Sequence, residues 1–245
     1  MCGILATFGD INNNTSDKDF QAALALQSHR GPNDSGFETF YGDRLGHTRL
    51  SIMDLTDSGH QPMYSDCQKI ALIFNGEIYN FKELRSTLEK EGVSFISQSD
   101  TEVLLKSYLH YGIDCLDHFI GMFAFIIVDK RPEKECSYVV RDRLGIKPLF
   151  YYQSDQSYIF SSEVKSILAL AKCKFALNKK TVSSYFSYRY SILDETFFEG
   201  IQNLTPGSYL HITKQGTTQY KYWQLADFVD QSEDKGEAYY LKRVD

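Results

Sequence analysis

Seven consecutive residues, Met122-Phe-Ala-Phe-Ile-Ile-Val128, carry no polar side chain. A strand alternates its side chains between two faces, so one that is apolar on both is covered on both. A β-sheet held between covering layers follows. Further strands are predicted at Ile4–Phe8, Leu45–Arg49, Ile70–Phe74, Ser137–Val140 and Ser157–Ser161. Ser208–Thr213 and Thr217–Tyr222 read as a hairpin around Lys214-Gln215-Gly216. A helix is predicted over Asp17–Ser28, with Phe20, Ala23 and Leu24 on one face, capping-box spacing at Ser16 and Asp19, and Gly31-Pro32 ending it. A second follows Asn80, which stands three residues before Glu83; it buries Phe81, Leu84 and Leu88 and closes at Gly92. A third covers Thr101–His110 up to Gly112, and Val164–Ala171 and Thr181–Tyr188 also read as helical.

The 245 residues suffice for one large domain or two small ones. A net charge of −6 with no basic run argues against nucleic acid as a partner. No apolar segment resembles a signal peptide or spans a membrane, so a soluble, cytoplasmic protein is expected. The five cysteines (Cys2, Cys67, Cys115, Cys136 and Cys173) form no C-x-x-C pair, and the six histidines show no ligand spacing. Neither a metal site nor a disulfide framework is expected. Cys115, Cys136 and Cys173 read as core residues, and Cys67 as part of a polar turn. From Asp227 the chain turns polar and acidic, and Glu237–Val244 begins a helix, the pattern of a linker leading out of one domain of a longer protein.

Cys2 is followed by Gly-Ile at the start of a predicted strand. Removing Met1 would give one residue a thiol and a free α-amine, a nucleophile with its own base, and both groups titrate near neutrality. A lone second-position cysteine is commonly incidental, so the neighbouring motifs decide its meaning. Arg49, near a strand end, suits a bidentate carboxylate contact or an ordinary surface ion pair. Asn75-Gly76 follows an apolar strand, which reads as a turn; alternatively, the Asn75 side-chain N–H and the Gly76 backbone N–H form an oxyanion hole. Asp100 suits a helix N-cap or, with Glu77, a substrate ammonium. Arg49, Asp100 and Glu77 together complement the α-carboxylate and α-amine of an amino acid. The loop His29-Arg-Gly-Pro-Asn-Asp-Ser-Gly36 would shape or cover the pocket, with His29 structural rather than a base.

In combination, Cys2-Gly-Ile, His29–Gly36, Arg49-Leu-Ser-Ile, Asn75–Asn80 and Ser99–Thr101 resemble the glutaminase domain of class II glutamine amidotransferases. The match continues through Gly121–Phe125, Arg141–Leu149, Ser161–Lys165, Gly200-Ile201 and Leu204–Leu210 to Tyr222-Trp223. Leu50 after Arg49, the run Ser51–Leu55 and Gly59-His-Gln-Pro-Met63 are similar to the glutamine-hydrolysing asparagine synthetases, whereas other branches usually carry Trp or Tyr after that arginine. Asn33 stands where the family more often has Asp.

The resemblance implies an α+β N-terminal-nucleophile hydrolase fold, two antiparallel sheets sandwiched between helical layers. It implies catalysis by Cys2, Asn75 and Gly76, and glutamine bound by Arg49, Glu77 and Asp100 with backbone groups around Leu50, Ile52 and Met53. Residues 1–226 would form the glutaminase domain, and 227–245 a linker into an ATP-dependent synthetase domain. That domain's Ser-Gly-Gly-x-Asp-Ser pyrophosphate loop does not occur in this sequence, so ATP and Mg are expected only in the synthetase domain, acting in cis or in trans, and no cofactor in this chain. The implied partners are L-glutamine and that domain; a homodimer stays open. Two other readings remain at this point: a related amidotransferase aminating another acceptor, and a catalytically silent regulatory module. Arg141–Leu149 reads either as structural or as facing the partner domain.

Overall fold

A computed structural model describes residues 1–9, 11, 15–51, 57–155, 157–191, 195–228 and 236–243. In chain order the strands are β1 (Gly3–Phe8), β2 (Asp34–Phe40), β3 (Asp43–Arg49), β4 (Met63–Tyr64), β5 (Ile70–Ile78), β6 (Gly121–Asp129), β7 (Cys136–Arg141), β8 (Phe150–Ser154), β9 (Ser157–Ser161), β10 (Ile201–Asn203), β11 (Ser208–Thr213) and β12 (Gly216–Lys221). The helices are α1 (Asp17–Ala25), α2 (Phe81–Lys90), α3 (Asp100–Tyr111), α4 (Val164–Leu170), α5 (Lys179–Tyr188) and α6 (Glu237–Leu241). They build two six-stranded sheets, ordered β10-β8-β9-β1-β3-β2 and β12-β11-β7-β6-β5-β4. Every pairing within them is antiparallel.

Strand alternation explains the layering. Ile4, Ala6 and Phe8 of β1 meet Ala71 and Ile73 of β5 and Ala124, Ile126 and Val128 of β6 in a core between the sheets. The intervening Leu5 packs instead with Phe20, Ala23 and Leu24 of α1 and Ile167 of α4. On the other side Phe123, Phe125 and Ile127 pack with Val103, Leu104 and Tyr108 of α3. The wholly apolar run is therefore apolar on both faces because one faces a sheet and the other a helix. Each such side chain contributes roughly 1.5–3 kcal/mol by burial, so β6 anchors the second sheet. The order is helices, sheet, sheet, helices, the α+β sandwich expected.

Several local expectations change. Asn75-Gly76 forms no turn: β5 runs on to Ile78 because β6 continues opposite it, with Asn75 against Ala124 and Ile78 against Gly121. Glycine is needed there for close approach, since a Cβ at Gly76 would lie 2.4 Å from the Met122 carbonyl oxygen. The segment from Asp34 is edge strand rather than loop; Phe37 and Phe40 lie three apart, which hides a strand held by pairing to β3, from Asp34 opposite Arg49 to Phe40 opposite Asp43. The Ser16–Asp19 capping box forms as predicted. Asn80 makes no side-chain cap; its Nδ2 donates to the His118 carbonyl at 2.9 Å and its Oδ1 accepts from Ile120 N at 3.0 Å. Ser99, not Asp100, caps α3, accepting from Glu102 N. Cys115 and Cys136 are buried and Cys67 is exposed, but Cys173 is exposed rather than in the core.

Candidate active site

The sheet parity that builds the core also aims two functional side chains at each other. Cys2 precedes β1 with the parity of Ile4 and Ala6, and Asn75 has the parity of Ala71 and Ile73, so both point into the layer between the sheets. There the layer opens into a cavity of about 170 Å³. Of the residues singled out in the sequence, Cys2, Arg49, Leu50, Asn75, Gly76, Glu77 and Asp100 all line it. Ile52 and Met53 lie outside the described residues.

The Cys2 sulfur is held by the backbone of Leu50, whose N–H donates to Sγ at 3.4 Å. Behind it, Arg30 Nε donates to the Cys2 carbonyl at 2.9 Å and Arg30 Nη1 to Glu163 at 3.2 Å. Glu163 also pairs with His29 and Lys165, each at 2.8 Å. Burial works against ionisation of this carboxyl, but Lys165, Arg30 and His29 together hold it below the usual carboxylate range. His29 thus belongs to the support of the Cys2 backbone. Burial pushes the Cys2 thiol up, opposed by the Leu50 N–H, the chain's terminal amine, Lys147 and Arg49. A thiol kept protonated at neutrality needs a base beside it. Burial, with Arg30 and Lys147, lowers the pKa of the terminal amine and so favours its free-base form. With Met1 in place, the Cys2 nitrogen is a peptide nitrogen and the amine is that of Met1, a 56 % exposed residue at the cavity rim.

Opposite the thiol are two donors that have no partner among the described residues. Phe123 uses both backbone groups on Asp142, donating to Oδ2 at 3.2 Å and accepting from Asp142 N at 2.8 Å. Both therefore point towards β7, and Gly76 opposite Phe123 sits in a non-hydrogen-bonded pair with its own N–H directed off the other edge of β5. Along that edge Gln61 Oε1 takes the Phe74 N–H at 2.6 Å and Asp100 Oδ2 takes the Ile78 N–H at 3.1 Å. The Gly76 N–H between them faces the cavity. Beside it, Asn75 is 1 % exposed, and neither its Nδ2 nor its Oδ1 has a hydrogen-bond partner among the described residues. Buried unsatisfied donors cost about 1–3 kcal/mol each. Such a pair is arranged for an oxygen that arrives from outside.

The far wall carries complementary charge. Arg49, at the end of β3, packs against Gly59 so closely that a Cβ there would lie 2.0 Å from Nη2. Asp100 is buried at the start of α3, and burial pushes its carboxyl up to about 6, with the Glu77 carboxylate adding to the effect and the Ile78 and Thr101 N–H groups opposing it. Two neighbouring carboxylates and one arginine lining the same cavity suit a zwitterionic amino acid. Among the described residues no group of three or more His, Cys, Asp or Glu could hold a metal ion. No described helix is long and apolar enough to cross a membrane.

Sequence reasoning passed over three members of the site. Arg30 lay inside the His29–Gly36 motif, but its grip on the Cys2 carbonyl depends on tertiary contact. Gln61 ties β5 to α3 through Phe74 N and the Thr101 hydroxyl, 3.4 Å away. Lys147, within Arg141–Leu149, reaches the cavity lining although its chain neighbours do not.

Residues 1–223 match the glutamine amidotransferase domain family. A putative glutamine-hydrolysing asparagine synthetase 2 of Methanocaldococcus jannaschii is 40 % identical over 226 residues, spanning 82 % of this chain and 42 % of the relative. Asparagine synthetase 3 of Bacillus subtilis is 37 % identical over 201 residues, 81 % of this chain and 32 % of its own length. The chain thus spans less than half the length of these curated relatives. Among solved structures, the glutamine phosphoribosylpyrophosphate amidotransferase of B. subtilis superposes with a TM-score of 0.65 at 20 % identity, over 91 % of this chain and 49 % of that one. That likeness shows the N-terminal-nucleophile hydrolase fold.

Proposed function

Because the chain belongs to the glutamine amidotransferase domain family, we propose that it hydrolyses L-glutamine to glutamate and ammonia with Cys2 as the nucleophile. The observation that carries this reading is the orphaned Asn75 amide, buried opposite the Cys2 thiol in one cavity. With Met1 removed, the α-amine of Cys2 takes the thiol proton, and Sγ attacks the side-chain amide carbon. The oxyanion is met by Asn75 Nδ2 and the Gly76 N–H, donors fixed before the substrate arrives. The protonated amine delivers its proton to the departing nitrogen, ammonia leaves, and a thioester remains. A water, deprotonated by the same amine, attacks the thioester and releases glutamate and the thiol. Arg49 holds the α-carboxylate, and Glu77 and Asp100 hold the α-ammonium. The reach from this fixed head group to Cys2 selects glutamine over the shorter asparagine.

The names and greater lengths of the matched relatives support a larger assignment. The ammonia feeds an ATP-dependent synthetase domain, in cis or in trans, that amidates aspartate. ATP and Mg belong to that domain, and this chain uses no cofactor. All five cysteines are free thiols, which suits the reducing cytoplasm.

The test is intact mass before and after incubation with the glutamine-mimicking electrophile 6-diazo-5-oxo-norleucine. Expected are loss of Met1 and a single adduct on Cys2; a protein lacking Met1 that takes no adduct would overturn the reading. A pH dependence follows from Asp100. Its carboxyl titrates near 6 in the free protein, and only the ionised form attracts the substrate ammonium. KM for glutamine should therefore be flat above about pH 7 and rise steadily as pH falls through 6, and Asp100→Asn should raise KM at pH 7.5 and flatten that rise. An Asp100→Asn variant with the same KM profile as the parent would remove Asp100 from the head-group contact.

A further inference from the structure

The segment Arg141–Leu149 is built with more hydrogen bonds than a surface connection needs. The Asp142 carboxylate accepts from the backbone N–H groups of Leu144, Ile146 and Lys147 at 2.9–3.1 Å. The Arg141 guanidinium donates to the carbonyls of Lys147 at 2.9 Å and Gly145 at 2.8 Å, and to Leu204 O at 2.6 Å. Gly145 takes φ +65° at the apex, where a Cβ would also lie 2.7 Å from Pro206. Both the N–H and the carbonyl of Lys147 are thus pinned, and its side chain is delivered into the cavity that holds Cys2.

Lys147 is 4 % exposed, an unusual setting for a side chain that carries a full charge. Its ammonium has no ion pair or hydrogen bond among the described residues. The other charged groups around Cys2 are differently engaged. Arg30, from the turn after α1, is committed to the Cys2 carbonyl and Glu163. Arg49 of β3 lies against Gly59, and Asp100 of α3 accepts the Ile78 N–H. Glu77 of β5 lines the same cavity with no ion pair to Lys147 among the described residues. A charged side chain so little exposed, with its ammonium in the cavity and no counter-ion among the described residues, is set apart from an ordinary packing residue. Burial pushes the Cys2 thiol towards its protonated form, whereas the Lys147 charge acts towards the thiolate, and it acts towards the neutral form on the Met1 amine at the cavity rim as well.

We propose that Lys147 is a positioning residue of the glutaminase reaction: its ammonium in the cavity favours a neutral amine and a thiolate at Cys2, and so keeps the nucleophile competent near neutral pH. The Asp142 and Arg141 hydrogen bonds are the scaffold that holds that charge in place. This rests on the glutaminase reading above and adds an electrostatic component to it. The sign is the same whichever of the two groups limits the rate, since a nearby positive charge lowers the pKa of both an amine and a thiol.

The test compares Lys147→Met, Lys147→Gln and Lys147→Arg with the parent, all lacking Met1. The readouts are kcat/KM for glutamine and the rate of Cys2 labelling by 6-diazo-5-oxo-norleucine across pH 5.5–9, together with Tm. In both neutral variants the acid limb should move up by about one pH unit, giving about 10-fold slower labelling at the acid end and convergence with the parent at the alkaline end. Lys147→Arg should restore the limb. Two neutral variants guard against one that fails to fold. An unmoved limb overturns the proposal, as does a KM increase equal at every pH, which would make Lys147 a carboxylate ligand. A pH-independent loss accompanied by a lowered Tm overturns it in favour of a structural role. Failure of the parent itself to label or turn over would instead sink the glutaminase reading, so the two failures are distinguishable.

Discussion

Cys2→Ala is expected to lower glutamine hydrolysis by more than about 10⁴-fold, because every bond change passes through the sulfur and no neighbouring group replaces it. Alanine is as small as cysteine, so processing of Met1 should continue and the variant remains a fair comparison. Its stability should stay within about 0.5 kcal/mol of the parent. The Cys2 side chain lines the cavity, half-buried, with two weak sulfur contacts to the Leu50 backbone, accepting from its N–H at 3.4 Å and donating to its carbonyl at 3.8 Å. Trimming it leaves no void in the inter-sheet core, and the Arg30 bond to its carbonyl does not involve the side chain. Glutamate release and Tm measured on the same preparations would decide the matter: retained turnover would sink the mechanism, whereas a large fall in Tm would mean that the thiol is a packing element.

The second large effect separates the two ends of the cavity. Asn75→Ala should lower kcat by about 10²–10³-fold with little change in KM, the usual cost of one oxyanion donor. Arg49→Ala should chiefly raise KM, on the order of 10²-fold, because a bidentate carboxylate contact is made equally in the ground and transition states. Stability offers an independent check. A buried asparagine with a structural role destabilises when removed, but both polar atoms of Asn75 lack partners among the described residues. Asn75→Ala should therefore leave Tm unchanged or slightly raised. Steady-state kinetics and thermal melts of the two variants test both claims, and the reverse pattern of kcat and KM effects would overturn the roles of Asn75 and Arg49.

Much of this architecture was readable in the chain. The apolar run at Met122–Val128 called for cover on both faces, and the capping box at Ser16 and Asp19 marked a helix start that forms where it is predicted. Elements whose stability is local or whose apolar pattern is complete leave such traces. The edge strand Asp34–Phe40 left little trace, because its two apolar residues, Phe37 and Phe40, lie three apart rather than two and its order comes from pairing to β3. Asn75-Gly76 misled for a related reason: the dipeptide that favours a turn in isolation is carried through as strand by the partner opposite it. Asp100 matched a capping residue in type, yet Ser99 beside it takes that role and leaves Asp100 to the cavity wall.

By itself, the sequence determined which chemistry is within reach: a second-position thiol, an Asn-Gly donor pair, an arginine and two carboxylates, in segments far apart along the chain. It also determined the layering, since strand alternation and helical periodicity are written in side-chain type. The tertiary structure alone decided that these groups share one cavity, that the Asn75 amide is buried there unsatisfied, that Arg30 grips the Cys2 carbonyl, and that the Lys147 charge comes to rest near the thiol. The physical reason is that periodicity assigns a residue to a face, whereas burial, hydrogen-bond satisfaction and electrostatic field depend on what the opposite face brings to meet it.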